Sequence, residues 1–259
     1  DSVLFAGGMV YSSEKASFVR ADVLSVGGVI AEIAEKIDAP DAQVVDCAGL
    51  YLLPGLVDGH THGRAGFDFN AIDDAAVSTM RHAYAKAGTT TIMATLASAP
   101  MEELCHSIEV INGQRAVTPG TATIAGIHLE GRYLNPKKRG AHATNLLAPM
   151  HADEVEDLLM KMCPLPVHMS GAFELSGGDE CIRRAVNMGV TCSMAHTDSS
   201  YEEACHAVEL GVRSFTHTFN ATTENPAHRR PHCSATMPTR NSSATASTSI
   251  RRSFVWHTA

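Results

Sequence analysis

No apolar run in this sequence approaches the roughly 18 residues that a membrane-crossing helix needs, so no such span is expected. The opening Asp1-Ser2-Val3-Leu4-Phe5 has neither a basic stretch nor a small-residue cleavage site, and no secretory signal is read there. It also lacks Met, which predicts a processed or incomplete start. Aromatics are scarce at 5%, and the seven cysteines stand singly without a CxxC pair. An odd, unpatterned set of thiols argues against a disulfide framework and against a thiolate zinc site. Buried free thiols in a reducing cytoplasm are the expectation. A surplus of positive charge is missing too. The net charge of −8 speaks against general nucleic-acid binding, though one local basic pocket would still take an anionic small molecule.

Acidic residues are absent from one end. None of the 28 Asp and Glu lies beyond Glu224, where five Arg, three His and a Ser/Thr/Ala-rich mixture run to Ala259. Pro226, Pro231 and Pro238 forbid a long helix, and Thr236 to Ser249 shows no apolar periodicity. Residues 223–259 are read as an atypical, disordered or non-native tail, of the kind a shifted reading frame produces.

What is present is a balanced, soluble composition: 44% apolar residues and a mean hydropathy of −0.03. Its 259 residues suffice for one large α/β domain with a small appendage. Residues 1–53 are rich in Val, Ile and Gly, with Gly27-Gly28 between two apolar runs as a hairpin signal. A small antiparallel β unit, part of a β-sandwich, is predicted there. From 54 to 222 strands and helices alternate. Strands are predicted at 52–58, 90–96, 122–129, 165–169, 190–195 and 213–219. Helices are predicted at 74–87, 101–115, 153–163, 178–189 and 201–210. Gly88, Gly189 and Gly211 stand where helices commonly stop. Such alternation implies parallel βαβ units, in either a doubly wound sheet or a (β/α)8 barrel.

The segment Leu52-Leu53-Pro54-Gly55-Leu56-Val57-Asp58-Gly59-His60-Thr61-His62 is the most informative. Residues i and i+2 of an extended chain share a face, so His60 and His62 point together just past a strand end. Glu130, His196 and His217 likewise close the predicted third, fifth and sixth strands. In a parallel barrel all these ends open on one face, where active sites are built. A doubly wound sheet would not converge them, so the pattern favours the barrel. Imidazoles with one carboxylate suit Zn²⁺, Fe²⁺, Mn²⁺ or Co²⁺, zinc foremost, and Glu130 between two imidazole groups could bridge two ions. Such an ion acidifies a water and polarises a carbonyl, the needs of amide hydrolysis. His128, two residues before Glu130, is a candidate supporting group. His82, His106, His151 and His206 fall in or beside helices, where surface or capping roles suffice.

Pro54-Gly55-Leu56-Val57-Asp58-Gly59-His60-Thr61-His62-Gly63 resembles the strand-1 signature of the amidohydrolase superfamily. Three further segments narrow the likeness: His128-Leu129-Glu130-Gly131, Leu134 to His142, and Thr216-His217-Thr218-Phe219-Asn220-Ala221. Together they are similar to the N-acetylglucosamine-6-phosphate deacetylases. The resemblance implies hydrolysis of the N-acetyl group of N-acetylglucosamine 6-phosphate to glucosamine 6-phosphate and acetate. It makes Glu130, His196 and His217 the principal metal ligands and His60 and His62 those of a second ion. It places His142, Asn220 and Ala221 against the sugar, and an arginine shortly afterwards, Arg229 or its neighbour Arg230, on the phosphate.

The sequence also departs from that pattern. Arg132 stands where a proline is expected, and Ala195-His196-Thr197 replaces Gly-His-Ser. The aspartate expected on an eighth strand as general base and acid is not present, since Asp198 is the last in the chain. About six βα units fit into 54–222. A partial (β/α)8 barrel, weak or absent turnover and a homodimer covering the open strand edges follow as expectations. Two rival readings are another N-acyl or cyclic-amide amidohydrolase, and a metal-binding fragment without catalysis.

Overall fold

The computed structural model describes residues 2–70, 72–218 and 220–222. The predicted tail at 223–259, with Arg229, lies outside them. The described residues form two compact units, 2–57 with 86–90 and 58–85 with 91–222.

The first unit is a five-stranded sheet. β1 (Ser2–Ser12), β2 (Ser17–Val26) and β3 (Val29–Ala34) run antiparallel in sequence. The β2–β3 turn is Gly27-Gly28, with φ of 59° and 80°, values that suit glycine in a two-residue hairpin. β4 (Gln43–Asp46) and β5 (Tyr51–Leu52) pair parallel with β1, so the unit is mixed and not purely antiparallel as predicted. Its core gathers Phe5, Val10, Ala21, Val23, Cys47 and Leu52. The buried Asp22 carboxylate is satisfied by the amides of Gly7 (2.7 Å) and Ile37 (3.0 Å).

The second unit is built on a six-stranded parallel sheet of order β13-β12-β11-β10-β9-β6. The strands are β6 (Leu56–Thr61), β9 (Thr89–Leu96), β10 (Thr123–Glu130), β11 (Val167–Gly171), β12 (Thr191–Met194) and β13 (Ser214–Phe215). A short hairpin, β7 (Gly63–Arg64) with β8 (Phe67–Asp68), follows β6. The helices α1 (Asp74–Lys86), α2 (Met101–Gly113), α3 (Ala152–Met162), α4 (Gly178–Asn187) and α5 (Tyr201–Leu210) separate the remaining strands. Gly88, Gly189 and Gly211, after α1, α4 and α5, have positive φ, as predicted for helix ends. α5 begins with a capping box: Ser200 Oγ accepts the Glu203 amide, and Glu203 accepts the Ser200 amide at 2.7 Å.

Two predicted strands are shorter than expected. The one at 52–58 is split, because Pro54 lacks a ladder donor: Leu52 ends β5 and Leu56 begins β6. A Cβ on Gly55 would stand 2.2 Å from Thr90 Oγ1, so only glycine passes there. The strand at 213–219 stops at Phe215, because His217 turns to a φ of 55°.

Side-chain alternation sorts the sheet into two faces. Ile92, Ala94, Leu96, Ile127, Leu129, Met169, Cys192 and Met194 meet the helices in one continuous core. Thr95, His128, Glu130, Ser170 and Ser193 occupy the other face, buried yet polar, where barrels are more often filled by branched aliphatics. Arg81 of α1 is buried too, its guanidinium donating to the carbonyls of Ala122, Gln114 and Ala116 at 2.8–2.9 Å.

The cysteine expectation needs correcting. Cys47, Cys181 and Cys192 are buried free thiols, whereas Cys163 is free but exposed and Cys205 is disulfide-bonded. Among the described residues no helix is long and apolar enough to cross a membrane.

Candidate metal centre

Four strand ends deliver the site. β6 carries His60 and, one residue past its end, His62. Thr61 between them points away, where its amide donates to Thr95 Oγ1 (2.9 Å) and its hydroxyl meets that of Tyr84. Tyr84 in turn donates to the Gly63 carbonyl at 2.8 Å, so the turn after the histidine pair is tied to α1. Glu130 is the last residue of β10 and is 1% exposed. His196 and His217 lie just beyond β12 and β13, both in the left-handed region at φ of 48° and 55°. For residues with a Cβ that conformation is strained by about 1–3 kcal/mol, and such strain collects at functional sites. Backbone bonds hold both turns: Asn135 N–H to His196 O at 3.0 Å, and the Asn220 and Ala221 amides to His217 O at 2.9 Å.

The Glu130 carboxylate is the hub. Its Oε2 lies 3.0 Å from His60 Nε2 and 2.8 Å from His62 Nε2. Its Oε1 lies 2.7 Å from His217 Nε2 and 3.3 Å from His196 Nε2. Two donor groups share it: His60, Glu130 and His217, and Glu130, His142 and His196, with ligand atoms within 4.8 Å in each. His196 Nδ1 donates to the Lys138 carbonyl at 2.8 Å, leaving the Nε2 lone pair facing Glu130. A buried carboxylate with two imidazoles on each oxygen, one ring already oriented by a backbone carbonyl, fits one or two borderline divalent ions. His62 and His217 side chains are each 38% exposed, so the site is open to solvent on their side.

Electrostatics support the same geometry. Burial alone would raise the Glu130 pKa, but the imidazoles of His196, His60 and His62 against its oxygens hold it far below the usual carboxylate range. His62 is raised, chiefly by its bond to Glu130. His142 is pushed down to about 4 by burial and the neighbouring His196. His128 is pushed down to about 2, first by burial and then by His168.

Residues 51–235 match the amidohydrolase family. The chain belongs to that family. Amidohydrolases generally depend on divalent metal, in keeping with the donor set just described. Among curated amidohydrolase relatives, the human N-acetylglucosamine-6-phosphate deacetylase is 32% identical over 221 residues, 82% of this chain and 53% of its own. The Vibrio furnissii deacetylase of that name is 27% identical over 193 residues, 74% of this chain and 48% of its own. A Mycobacterium smegmatis N-acetyl-D-glucosamine-6-phosphate deacetylase, solved as a mutant in complex with N-acetyl-D-glucosamine-6-phosphate, superposes with a TM-score of 0.76. It is 25% identical, and the match covers 86% of this chain and 57% of that one. The chain spans about half the length of the curated relatives it matches.

Of the residues singled out in the sequence, the amidohydrolase frame brings His60, His62, Glu130, His196, His217 and His142 together. Ala221 is buried beside them in sequence and accepts the Thr197 amide, while Asn220 is exposed. The sequence pointed to His128 as a supporting group, and the structure adds the polar layer that it joins. His128 Nε2 lies 2.8 Å from Ser170 Oγ, which contacts Thr216 Oγ1 at 3.0 Å, and Thr216 contacts Ser193 Oγ at 2.8 Å. His168 packs its ring on His128 at 4.6 Å. The signal was there in the two-residue period: His168 and Ser170 share a strand face, as do His128 and Glu130.

Proposed function

We propose that the protein hydrolyses the N-acetyl group of N-acetylglucosamine 6-phosphate, giving glucosamine 6-phosphate and acetate. The observation that carries the reading is the convergence of four imidazole Nε2 atoms within 3.3 Å of one buried carboxylate, in a chain of the amidohydrolase family. Glu130, His196 and His217 would hold the principal ion, and His60 and His62, on the other oxygen of Glu130, a second. Zinc is the first choice, with iron, manganese or cobalt compatible with the same donors. When bound, such an ion polarises a carbonyl and acidifies a water, as cleavage of an unactivated amide at neutral pH requires. The chain's own residues do the rest: Glu130 spaces the two histidine groups, and the Lys138 carbonyl keeps His196 turned inward. His142, Asn220 and Ala221 are assigned to the sugar, and Arg229 to the phosphate.

A proton acceptor is the weak point. No Asp follows Asp198, so these 259 residues are expected to turn over slowly or not at all. The second reading is a metal-binding chain without catalysis. A sensitive acetate assay on the zinc-loaded chain separates the two. The deacetylase reading expects slow release from N-acetylglucosamine 6-phosphate, lost without the 6-phosphate and in Glu130→Gln. Bound zinc with no acetate from any amide tested leaves the non-catalytic reading. Rapid turnover would show that another group within these residues accepts the proton.

Cytoplasmic location and a homodimer complete the proposal, the partner covering β6 and β13 at the sheet's two ends. Light scattering that returns a stable, folded monomer would count against the dimer.

A further inference from the structure

His142 sits within reach of Glu130 and His196, and distance alone would make it a metal ligand. Its Nδ1 has a different setting from that of His196. The Ser98 backbone N–H donates to His142 Nδ1 at 3.3 Å, and Ser98 Oγ lies 2.9 Å from the same nitrogen. Ser98 Oγ already accepts the Arg132 amide at 2.8 Å, so its own proton is free to point at His142. A backbone amide only donates. Two donors on one nitrogen require a lone pair there, so the proton of the neutral ring is on Nε2.

His196 is arranged the opposite way. Its Nδ1 faces a carbonyl and must carry the proton, which frees Nε2 as a ligand. The two rings are 4.9 Å apart at 76°, fixed in opposite tautomers by their outer neighbours. Ser98 is 8% exposed, two residues beyond β9. Its closeness to the end of β10 is enforced by Gly131, where a Cβ would stand 2.3 Å from the Ser98 nitrogen. The loop bearing His142 is closed by Arg139, whose guanidinium donates to the Gly140 and His142 carbonyls.

We propose that Ser98 is a positioning residue that fixes the proton of His142 on Nε2. His142 thereby offers a hydrogen-bond donor to a substrate oxygen and is withdrawn from the metal-ligand set. The substrate part of this rests on the deacetylase reading; the proton position does not.

The test uses the full chain labelled with [15N]histidine, with and without Zn²⁺. Ring 1H–15N correlation separates bare from protonated nitrogens, and His142→Gln assigns the His142 signals by their loss. The wild type is expected to show a bare Nδ1 and a protonated Nε2. Ser98→Ala should shift the Nδ1 signal downfield as the hydroxyl bond is lost, and Ser98→Thr should restore it. A protonated Nδ1 in the wild type overturns the proposal, as does a Ser98→Ala spectrum identical to it. Zinc binding gives an independent arm. His142→Gln should bind zinc within about twofold of wild type, and His196→Gln more than about tenfold more weakly. Equal loss in both places His142 among the ligands and overturns the proposal. If the wild type binds no zinc, the deacetylase reading fails while the ring spectrum still decides the role of Ser98.

Discussion

Nε2 of His217 lies 2.7 Å from Oε1 of Glu130, although 87 residues separate them in the chain. That contact closes the sheet from β10 to the turn after β13, and it makes one carboxylate answerable for both histidine groups. Glu130→Gln keeps the size but removes the charge and one acceptor oxygen. Zinc affinity is expected to fall by more than about a hundredfold, because a neutral amide is a poor ligand and leaves the facing imidazoles unmatched. Equilibrium dialysis with metal analysis checks it, and undiminished zinc in the variant would remove Glu130 from the centre.

His60 and His62 both address the other oxygen, at 3.0 and 2.8 Å. Replacing both by alanine should remove one ion and spare the other. Zinc per chain is expected to fall from two to one in the double variant, while His196→Ala abolishes tight binding. A wild-type ratio of one that the double variant leaves unchanged would show that the pair holds no ion.

The candidate ligands were legible in the sequence for a simple reason. Two-residue periodicity and strand ends are local signals, and His60, His62, Glu130, His196 and His217 each stand at one. The helices were legible within one or two residues because their apolar spacing and terminal glycines are local too. Ser98, Ser170 and Thr216 were not. Each is an ordinary small polar residue whose partners are 23 to 46 residues away, and which strand lies opposite is set by sheet register. The left-handed turns at His196 and His217 were hidden as well: positive φ is uncommon for any residue with a Cβ, and histidine's enrichment there is too weak to mark two of fourteen. The parallel pairing of β4 and β5 with β1 escaped because short strands carry no mark of direction.

Arg81 lends itself to a stability test away from the centre. Its fork satisfies three carbonyls, all on the chain leading from α2 to β10, of which only that of Ala116 also takes a described side-chain donor, the Thr118 hydroxyl. Arg81→Met fills the space but strands those acceptors, and a loss of about 3 kcal/mol or more is expected. Arg81→Lys should recover only part, because a single ammonium cannot reproduce the planar fork. Urea midpoints measure both. A lysine variant as stable as wild type would mean that charge, not geometry, matters at this position.

The buried thiols give a prediction in pH. Burial pushes Cys192 up to about 12 and Cys181 up to about 11. At pH 8 the Cys192 thiolate is then on the order of one in ten thousand, and the thiolate is the reactive form. Native protein treated with a maleimide at pH 8 should be labelled at exposed Cys163, with Cys181 and Cys192 labelled only after unfolding. Because both pKa values are raised, labelling should accelerate as pH climbs toward them and never as it falls. Mass spectrometry of the labelled peptides decides it, and Cys192 reacting as fast as Cys163 in the folded chain would contradict the burial.

Arg132 stands where the resemblance leads one to expect proline, and the backbone explains what that change permits. Its φ is 61°, and its amide donates to Ser98 Oγ at 2.8 Å. Proline has a φ near −65° and no N–H, so it satisfies neither requirement. The side chain adds a bond to the Ala99 carbonyl at 3.1 Å and a 3.5 Å ion pair with Glu154, the acceptor of the Tyr133 hydroxyl. Arg132→Pro should therefore destabilise the chain by roughly 1–3 kcal/mol, from backbone strain and the lost bond to Ser98. Arg132→Gly, which adopts a positive φ freely and keeps the N–H, should lose only the side-chain contacts and stay closer to wild type. Chemical denaturation of the two variants side by side tests the point. A proline variant as stable as the glycine one would show that the turn after Glu130 is free to adopt negative φ.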